Sequence, residues 1–274
     1  AAATLQKLND PFTARFPFLA GHREDALVGD GACRAFGSLL PDVTQLNQFH
    51  SEIYSVTAMP YEGVFVALYD LWSVIGNREG PLDMPMKVSR DMKTWTDVDF
   101  PRRALSIGQF GEWDSGMVYG ANTMLVVDDE IRLYYLGANM GHCTRVLPMT
   151  RAYHTLGVGL ATLRLDGFAS LQASGELAGT VTTRPLQVQG NDLIVNADCR
   201  ADGWLKAERL DATGNVLPGF SLADCRPVRG DSLRHKITWR GDNTLPTGIP
   251  ETIRVRFTMK NVDLYSFRFG DGNR

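Results

Sequence analysis

The stretch IYSVTAMPYEGVFVALYDLW, residues 53–72, decides the fold class. It contains two runs rich in Val, Tyr, Thr and Phe, separated by the turn sequence Pro60-Tyr61-Glu62-Gly63. β-branched and aromatic residues favour strands, and a glycine-containing turn between two such runs is typical of a β-hairpin. Residues 53–59 and 64–72 are therefore predicted to form antiparallel strands.

The same kind of pattern continues on the C-terminal side of this hairpin. Strands predicted at 84–89 and 94–97 complete a first group of four. A second group is predicted over residues 117–127, 131–136, 157–163 and 168–171. Repeated four-stranded antiparallel units are how a β-propeller builds its blades, although an ordinary meander sheet gives the same pattern. Residues 1–50, where Gly and Asp interrupt the apolar runs, are assigned to a further blade.

The pattern changes near residue 172. Alternating strands separated by Asp-, Gly- and Asn-rich turns are predicted at residues 180–183, 193–197, 205–210, 232–239, 253–259 and 264–269. This spacing is typical of a β-sandwich. The sequence therefore predicts an all-β protein, with a propeller portion at 1–172 and a sandwich module at 173–274.

Composition excludes several classes of partner. The 274 residues carry 28 basic and 31 acidic side chains, a formal net charge of −3. That balance lacks the basic excess that binding to nucleic acid or to an anionic membrane surface requires. An apolar content of 44% is enough for a folded core, and no apolar run reaches the length of a membrane span.

Four cysteines, Cys33, Cys143, Cys199 and Cys225, lie far apart without a CxxC pair, which argues against a zinc-finger site. Two alternatives follow: a Cys199–Cys225 disulfide if the protein is exported, or buried free thiols. Export to the periplasm or the medium is favoured, with the compartment left open. The sequence begins Ala-Ala-Ala-Thr without an initiator Met, so we expect a processed, trimmed or partial chain.

The segment Ser89-Arg90-Asp91-Met92-Lys93-Thr94-Trp95 resembles the S-x-D-x-x-x-W corner of five-bladed propeller glycoside hydrolases of families 32 and 43. In those families the corner is structural, so Asp91 is expected to cap a turn and Trp95 to pack between blades. Residues 50–68 are similar to the third blade of these enzymes, where the general acid lies. Residues 113–137 resemble the blade that follows.

The predicted sandwich region also resembles part of a known group of proteins. Residues 164–171, 182–186, 219–225 and 264–267 resemble the C-terminal module of bacterial proteins labelled glycosyl hydrolases, and the resemblance covers roughly residues 50–270. It implies a glycosidase acting on an oligo- or polysaccharide. The family's nucleophile or base and its second aspartate belong to the first two blades, and the upstream aspartates here, Asp10, Asp25, Asp30 and Asp42, lack that context. We therefore expect an N-terminally incomplete chain, or a partner chain that completes the propeller.

Glycoside hydrolysis ordinarily needs two carboxyl groups, one protonated as general acid and one ionised as base or nucleophile. Glu52, at the start of an inner strand, is the predicted acid. Asp114, next to Trp113 and Ser115, is the predicted second carboxyl, with Glu112 as a weaker competitor. Asp70, in the middle of a strand, ranks below them.

Sugar sites also use flat apolar faces and hydrogen-bonding side chains. The predicted substrate-binding residues are the aromatic Tyr54, Trp72 and Trp113, together with His50 and His142. Each aromatic ring has the alternative role of packing between strands. His142 follows the Gly-rich segment 137–141 in a loop, where functional residues are common.

Two other functions stay open. A non-catalytic carbohydrate-binding propeller would present aromatic rings without a carboxyl pair. A polysaccharide lyase would use a base and an arginine, which His50, Tyr54 and Arg151 could supply. No metal ligand set and no cofactor are predicted, although a structural calcium ion on the propeller axis is compatible with the fold. In the sandwich, Trp204 is the aromatic residue that could contact sugar.

Overall fold

The structure, a computed structural model, describes residues 6–7, 50–74, 80–98, 102–120, 123–143, 154–240 and 252–270. Every regular element in these ranges is a β-strand, which confirms the all-β prediction. The strands form two open sheets in two compact units, a first unit within residues 2–168 and a second unit within 169–274. The division at 168/169 lies slightly before the predicted boundary at 172/173. Within the described ranges, no helix has the length and apolar character needed to cross a membrane.

The described residues of the first unit form a sheet of ten strands. They are β1 (Gln6–Lys7), β2 (His50–Tyr61), β3 (Val64–Val74), β4 (Leu82–Asp83), β5 (Met86–Ser89), β6 (Thr96–Asp97), β7 (Met117–Gly120), β8 (Leu125–Val127), β9 (Glu130–Ala138) and β10 (Leu156–Arg164). Strands β2-β3-β5-β6 form one antiparallel group of four, and β7-β9-β10-β1 form a second. A parallel bridge between Leu82 of β4 and Met117 of β7 joins the two groups.

The fourth strand of the second group differs from the prediction. It is β1, which pairs with β10 through Gln6 and Thr162, and not a strand over residues 168–171. Strand β11 (Leu171–Ala173) instead pairs in the sheet of the second unit. The prediction was wrong because an alternating pattern identifies a strand without identifying its partner. Apart from β1 and the backbone of His50, the segment 1–50 lies outside the described residues.

The β2–β3 hairpin forms as its sequence predicts. Glu62 and Gly63 have φ values of 44° and 78°, the left-handed pair that a two-residue turn needs to match the twist of the strands. The pairing runs from His50 opposite Val74 to Tyr61 opposite Val64, with a register shift between Ile53 and Ser55. That shift is a β-bulge, which adds one residue to β2.

The core of the first unit lies where the two groups bring their apolar faces together. Strand β3 is buried from Val66 to Val74, so both of its faces are covered. The core contains these buried side chains from both groups: Val66, Leu68, Met84, Met86, Val118, Ile131, Leu133, Tyr135, Ala161 and Leu163. A smaller apolar cluster of Trp72, Val74 and Leu82 lies at the end of β3.

The second unit has six strands in its described part: β11, β12 (Gly179–Thr182), β13 (Leu186–Gln187), β14 (Asp192–Leu210), β15 (Gly230–Ile237) and β16 (Thr252–Gly270). Strands β14 and β16 pair along their length, and each replaces two predicted strands. Asp202 and Gly203 lie between the predicted strands at 193–197 and 205–210. The structure makes them a bulge opposite Asn261, where the left-handed φ values of Asp202 (60°) and Asn261 (50°) bend the ribbon without ending it.

The cysteines of the second unit are thiols. Cys199 and Cys225 are both buried and free, so the disulfide alternative is wrong and the buried-thiol alternative is confirmed for this pair. Burial raises the pKa of the Cys199 thiol to about 11, which keeps it protonated. Both side chains belong to the apolar core between β14, β16 and the 217–239 region.

Candidate functional site

Four aromatic side chains come together near one end of the first sheet. The Tyr54 ring lies 4.5 Å from the His142 ring, 5.7 Å from Tyr119 and 6.5 Å from Trp72, centroid to centroid. His142 and Trp72 are 4.9 Å apart and nearly perpendicular. We refer to Tyr54, Trp72, Tyr119 and His142 as the aromatic cluster. Three of its members were predicted as substrate-binding residues, and the structure brings them together from separate segments.

The bulge in β2 determines how Tyr54 faces the cluster. In a regular strand successive side chains point to opposite faces, so Tyr54 and Ser55 would diverge. Here Tyr54 contacts Trp72, while the Ser55 hydroxyl donates to the Asp70 carboxylate, and Trp72 and Asp70 share one face of β3. The extra residue therefore places two consecutive side chains on the same face.

The loop after β9 carries His142 into the cluster. The backbone N–H of His142 donates to the Gly80 carbonyl at 2.7 Å, and the Gly80 N–H donates to the His142 carbonyl at 3.3 Å. A side chain at Gly80 would collide with the Ser73 carbonyl, so the close contact between residues 80 and 73 requires glycine at position 80. This two-way bridge fixes the loop against the segment before β4.

The cluster has one open side. Tyr54 is 47% exposed, whereas Trp72 is 6% exposed and packs on Val74 and Leu82. His142 and Tyr119 are half-buried. Partial burial lowers the pKa of His142, which favours the neutral imidazole at neutral pH. A neutral imidazole has one donor and one acceptor nitrogen, which suits hydroxyl groups of a ligand.

Asp70 is the acidic group next to the cluster. It precedes Trp72 by two residues on β3, is 2% exposed, and accepts the Gly120 N–H at 3.2 Å in addition to the Ser55 hydroxyl. Burial raises the pKa of its carboxyl group despite these two hydrogen bonds. Asp70 ranked low among the predicted carboxyl groups because a lone aspartate within an apolar strand carries no motif.

Tyr119 was missed altogether. Tyr119 precedes Gly120, whose backbone N–H donates to Asp70. Its cross-strand neighbour is the apolar Leu136, so no polar pair in the sequence indicated a site at Tyr119. The period-two spacing of Asp70 and Trp72 was the available signal for Asp70, since it places both on one face.

Glu52 lies beside the cluster. It pairs with Trp72 across β2 and β3 and is half-buried. Because Ser55 pairs with Asp70, Glu52 and Asp70 occupy diagonal positions on one face of the hairpin.

Asp114 lies elsewhere in the first unit. It is 1% exposed, and its carboxylate accepts the Tyr135 hydroxyl at 3.0 Å. Asp114 packs over Gly137 of β9, and β3, β4 and β7 separate β9 from β2 in the sheet. Glu52 therefore shares a face of the β2–β3 hairpin with Asp70, and Asp114 packs on β9.

Trp113 also belongs to the Asp114 region. Its ring stacks on Tyr135, with centroids 5.7 Å apart and planes inclined by 25°, and it packs against the core of the first unit. Of the other predicted residues, His50 has its backbone in β2, and its side chain lies outside the described part of the chain, as does Arg151. Trp204 is half-buried beside the β14 bulge.

The Asp91 turn in the Ser89–Trp95 corner forms as expected. The Asp91 carboxylate accepts the N–H groups of Lys93 and Thr94, both at 2.8 Å, and the Ser89 hydroxyl donates to it at 3.0 Å. These bonds lower the pKa of Asp91. Asp91 is therefore a turn cap, and this motif contributes no functional group.

The chain matches no family model, no curated protein and no solved structure.

Proposed function

We propose that the first unit binds a carbohydrate at the aromatic cluster. The observation that carries this proposal is the convergence of Tyr54, Trp72 and His142 from three separate segments around one partly exposed ring. Sugar rings present C–H groups that pack on aromatic faces, and hydroxyl groups that hydrogen-bond to Tyr and His. The cluster offers both kinds of contact within one surface.

We further propose that this site hydrolyses a glycosidic bond, with Asp70 and Glu52 as the carboxyl pair. Glu52 and Asp70 lie on one face of the β2–β3 hairpin, so a ligand on that face could contact both carboxyl groups. The raised pKa of Asp70 suits a general acid, which would protonate the leaving oxygen. Glu52 would act as the base that removes a proton from the attacking water. The position of Asp114, hydrogen-bonded to Tyr135, favours Asp70 as the partner of Glu52.

We also propose the architecture that the sequence predicts, a propeller portion followed by a sandwich module. Two antiparallel groups of four strands with a common core fit two blades of a propeller, and the second unit fits a sandwich-type accessory module. Completion of a five-bladed ring by further chain or by a partner, with or without an axial calcium ion, is part of the same proposal.

Affinity electrophoresis in native gels tests binding. The gels contain arabinan, levan, xylan or polygalacturonate, and the variants are Tyr54→Ala and, as a matched control, Val56→Ala, which is exposed on the same strand. We expect at least one polysaccharide to retard the wild type and the Val56→Ala variant, and Tyr54→Ala to lose most of that retardation. Absence of retardation by all four, or equal retardation of both variants, would refute the binding site.

Product analysis then separates the three functions. A hydrolase releases new reducing ends, and both Glu52→Gln and Asp70→Asn should abolish the release while leaving binding intact. A lyase releases an unsaturated, ultraviolet-absorbing product from polygalacturonate. Binding without any product would favour the non-catalytic carbohydrate-binding protein.

A further inference from the structure

Phe110 is exposed in an unusual setting. Its side chain is 100% exposed, and it is the one exposed large apolar side chain among the described residues between Met92 and Leu125. It occupies the tip of the connection that leads into β7, the strand that carries Tyr119 of the aromatic cluster. The connection enters β7 at Met117, which pairs with Ala138, so Phe110 and the His142 loop belong to the same end of the sheet.

The turn that carries Phe110 is held rigidly. The Glu112 N–H donates to the Gln109 carbonyl at 3.0 Å, and Gly111 at φ 95° supplies the left-handed residue of a type II turn. The Glu112 carboxylate accepts the Gln109 N–H at 2.6 Å. The Ser115 hydroxyl donates to the Glu112 carbonyl at 2.9 Å.

The base of the turn is anchored in the core. The Gly108 N–H donates to the Asp114 carbonyl at 3.1 Å, and a side chain at Gly108 would collide with the Asp114 carboxylate. Asp114 is in turn held by the Tyr135 hydroxyl. Asp114 thus connects this loop to the core of the first unit.

We propose that Phe110 is a second sugar-stacking platform, which binds a ring of the same polysaccharide chain beyond the aromatic cluster. This inference rests on the proposed carbohydrate function. A ring presented on a preorganised turn loses little conformational entropy on binding. Its sequence neighbours, Gln109, Gly111 and Glu112, provide no apolar surface around it. A protein interface needs a broad apolar patch, whereas one sugar ring needs one aromatic face with polar surroundings.

The test compares ligands of different length. Dissociation constants are measured by calorimetry for the polysaccharide that retards the wild type most strongly, and for its disaccharide. The variants are Phe110→Ala, Phe110→Trp and the control Leu177→Ala, an 85% exposed residue of the second unit. Thermal unfolding confirms that each variant is folded.

We expect Phe110→Ala to weaken binding of the polysaccharide by about three- to tenfold, the value of one aromatic contact. Disaccharide binding should not change, Phe110→Trp should restore polysaccharide affinity, and Leu177→Ala should match the wild type. Equal polysaccharide affinity of Phe110→Ala and wild type would overturn this inference and leave the proposed function standing. Weakened disaccharide binding would overturn it too, by placing Phe110 in the first site. A wild type that binds neither ligand would overturn both proposals.

Discussion

Burial of Asp70 costs hydration energy and also changes the pKa of its carboxyl group. An acidic side chain on a strand that is otherwise apolar loses its hydration, and two hydrogen bonds, from Ser55 and Gly120, compensate only in part. The remaining penalty falls on the ionised form and raises the pKa of the carboxyl group. A general acid needs that same property.

The raised pKa of Asp70 predicts a pH-dependent stability. Because the folded-state pKa lies above the ordinary value of 3.8, the folded protein binds more protons than the unfolded chain between these two values. The free energy of unfolding should therefore fall as pH rises through that interval, by about 1.4 kcal/mol for each pH unit between the folded and unfolded pKa values. In Asp70→Asn the amide oxygen can accept the Gly120 N–H and the amide N–H can donate to the Ser55 oxygen, and the side chain cannot ionise, so the variant should lack this component.

Urea denaturation across a pH series measures the effect. The free energy of unfolding is compared between the wild type and Asp70→Asn at each pH. The difference, wild type minus variant, should decrease as pH rises above 3.8 and then become constant. A difference that is constant with pH would contradict the assignment. Ser55→Ala serves as the comparison, because it removes one hydrogen bond and leaves the carboxyl group titratable.

At the scale of the element, the β2–β3 hairpin is determined by its two turn residues. Gly63 has a φ of 78°, and a methyl group added there would meet no atom within 4 Å. A substitution at this position therefore reports backbone conformation alone, without steric overlap.

Gly63→Ala is expected to destabilise the protein by about 1 kcal/mol, the cost of a left-handed conformation for an L-residue. Gly179→Ala is the control: its added methyl group would lie at an ordinary 3.5 Å from Ala173, and its φ is not in the left-handed region. Thermal unfolding should show a lower Tm for Gly63→Ala and little change for Gly179→Ala. Equal Tm shifts for the two variants would show that the left-handed turn conformation does not account for the loss of stability.

At the scale of the whole molecule, each unit has a core of its own. Leu133 is fully buried in the core of the first unit. Arg209, in the second unit, is also fully buried, with its guanidinium 4.6 Å from the Phe220 ring and 4.7 Å from the Trp239 ring. Burial lowers the pKa of Arg209 to about 10, so the cation persists at neutral pH and interacts with these rings.

Separate cores predict separate unfolding transitions. Leu133→Ala should lower one calorimetric transition and Arg209→Ala the other, each through a loss of about 3 kcal/mol from the unit concerned. A single transition that both variants shift equally would show that the units unfold cooperatively.

The sequence by itself determined the local structure of this protein. The strands of the β2–β3 hairpin, its turn, the Asp91 corner and the absence of helices in the described residues all depend on residues close together in the chain. Strand propensity and turn chemistry act over this range, and for that reason they could be predicted. The aromatic character of Tyr54, Trp72 and His142 also indicated three of the four cluster residues.

Only the tertiary structure decided which of these elements meet. The pairing of β1 with β10, the continuity of β14 and β16, and the approach of His142 to Gly80 join residues far apart in sequence. The bulge at Tyr54 decided which side chains share a face, and so grouped Glu52 with Asp70. An alternating pattern specifies the two faces of a strand but not its neighbour, because long-range pairing is selected by packing of the complete core.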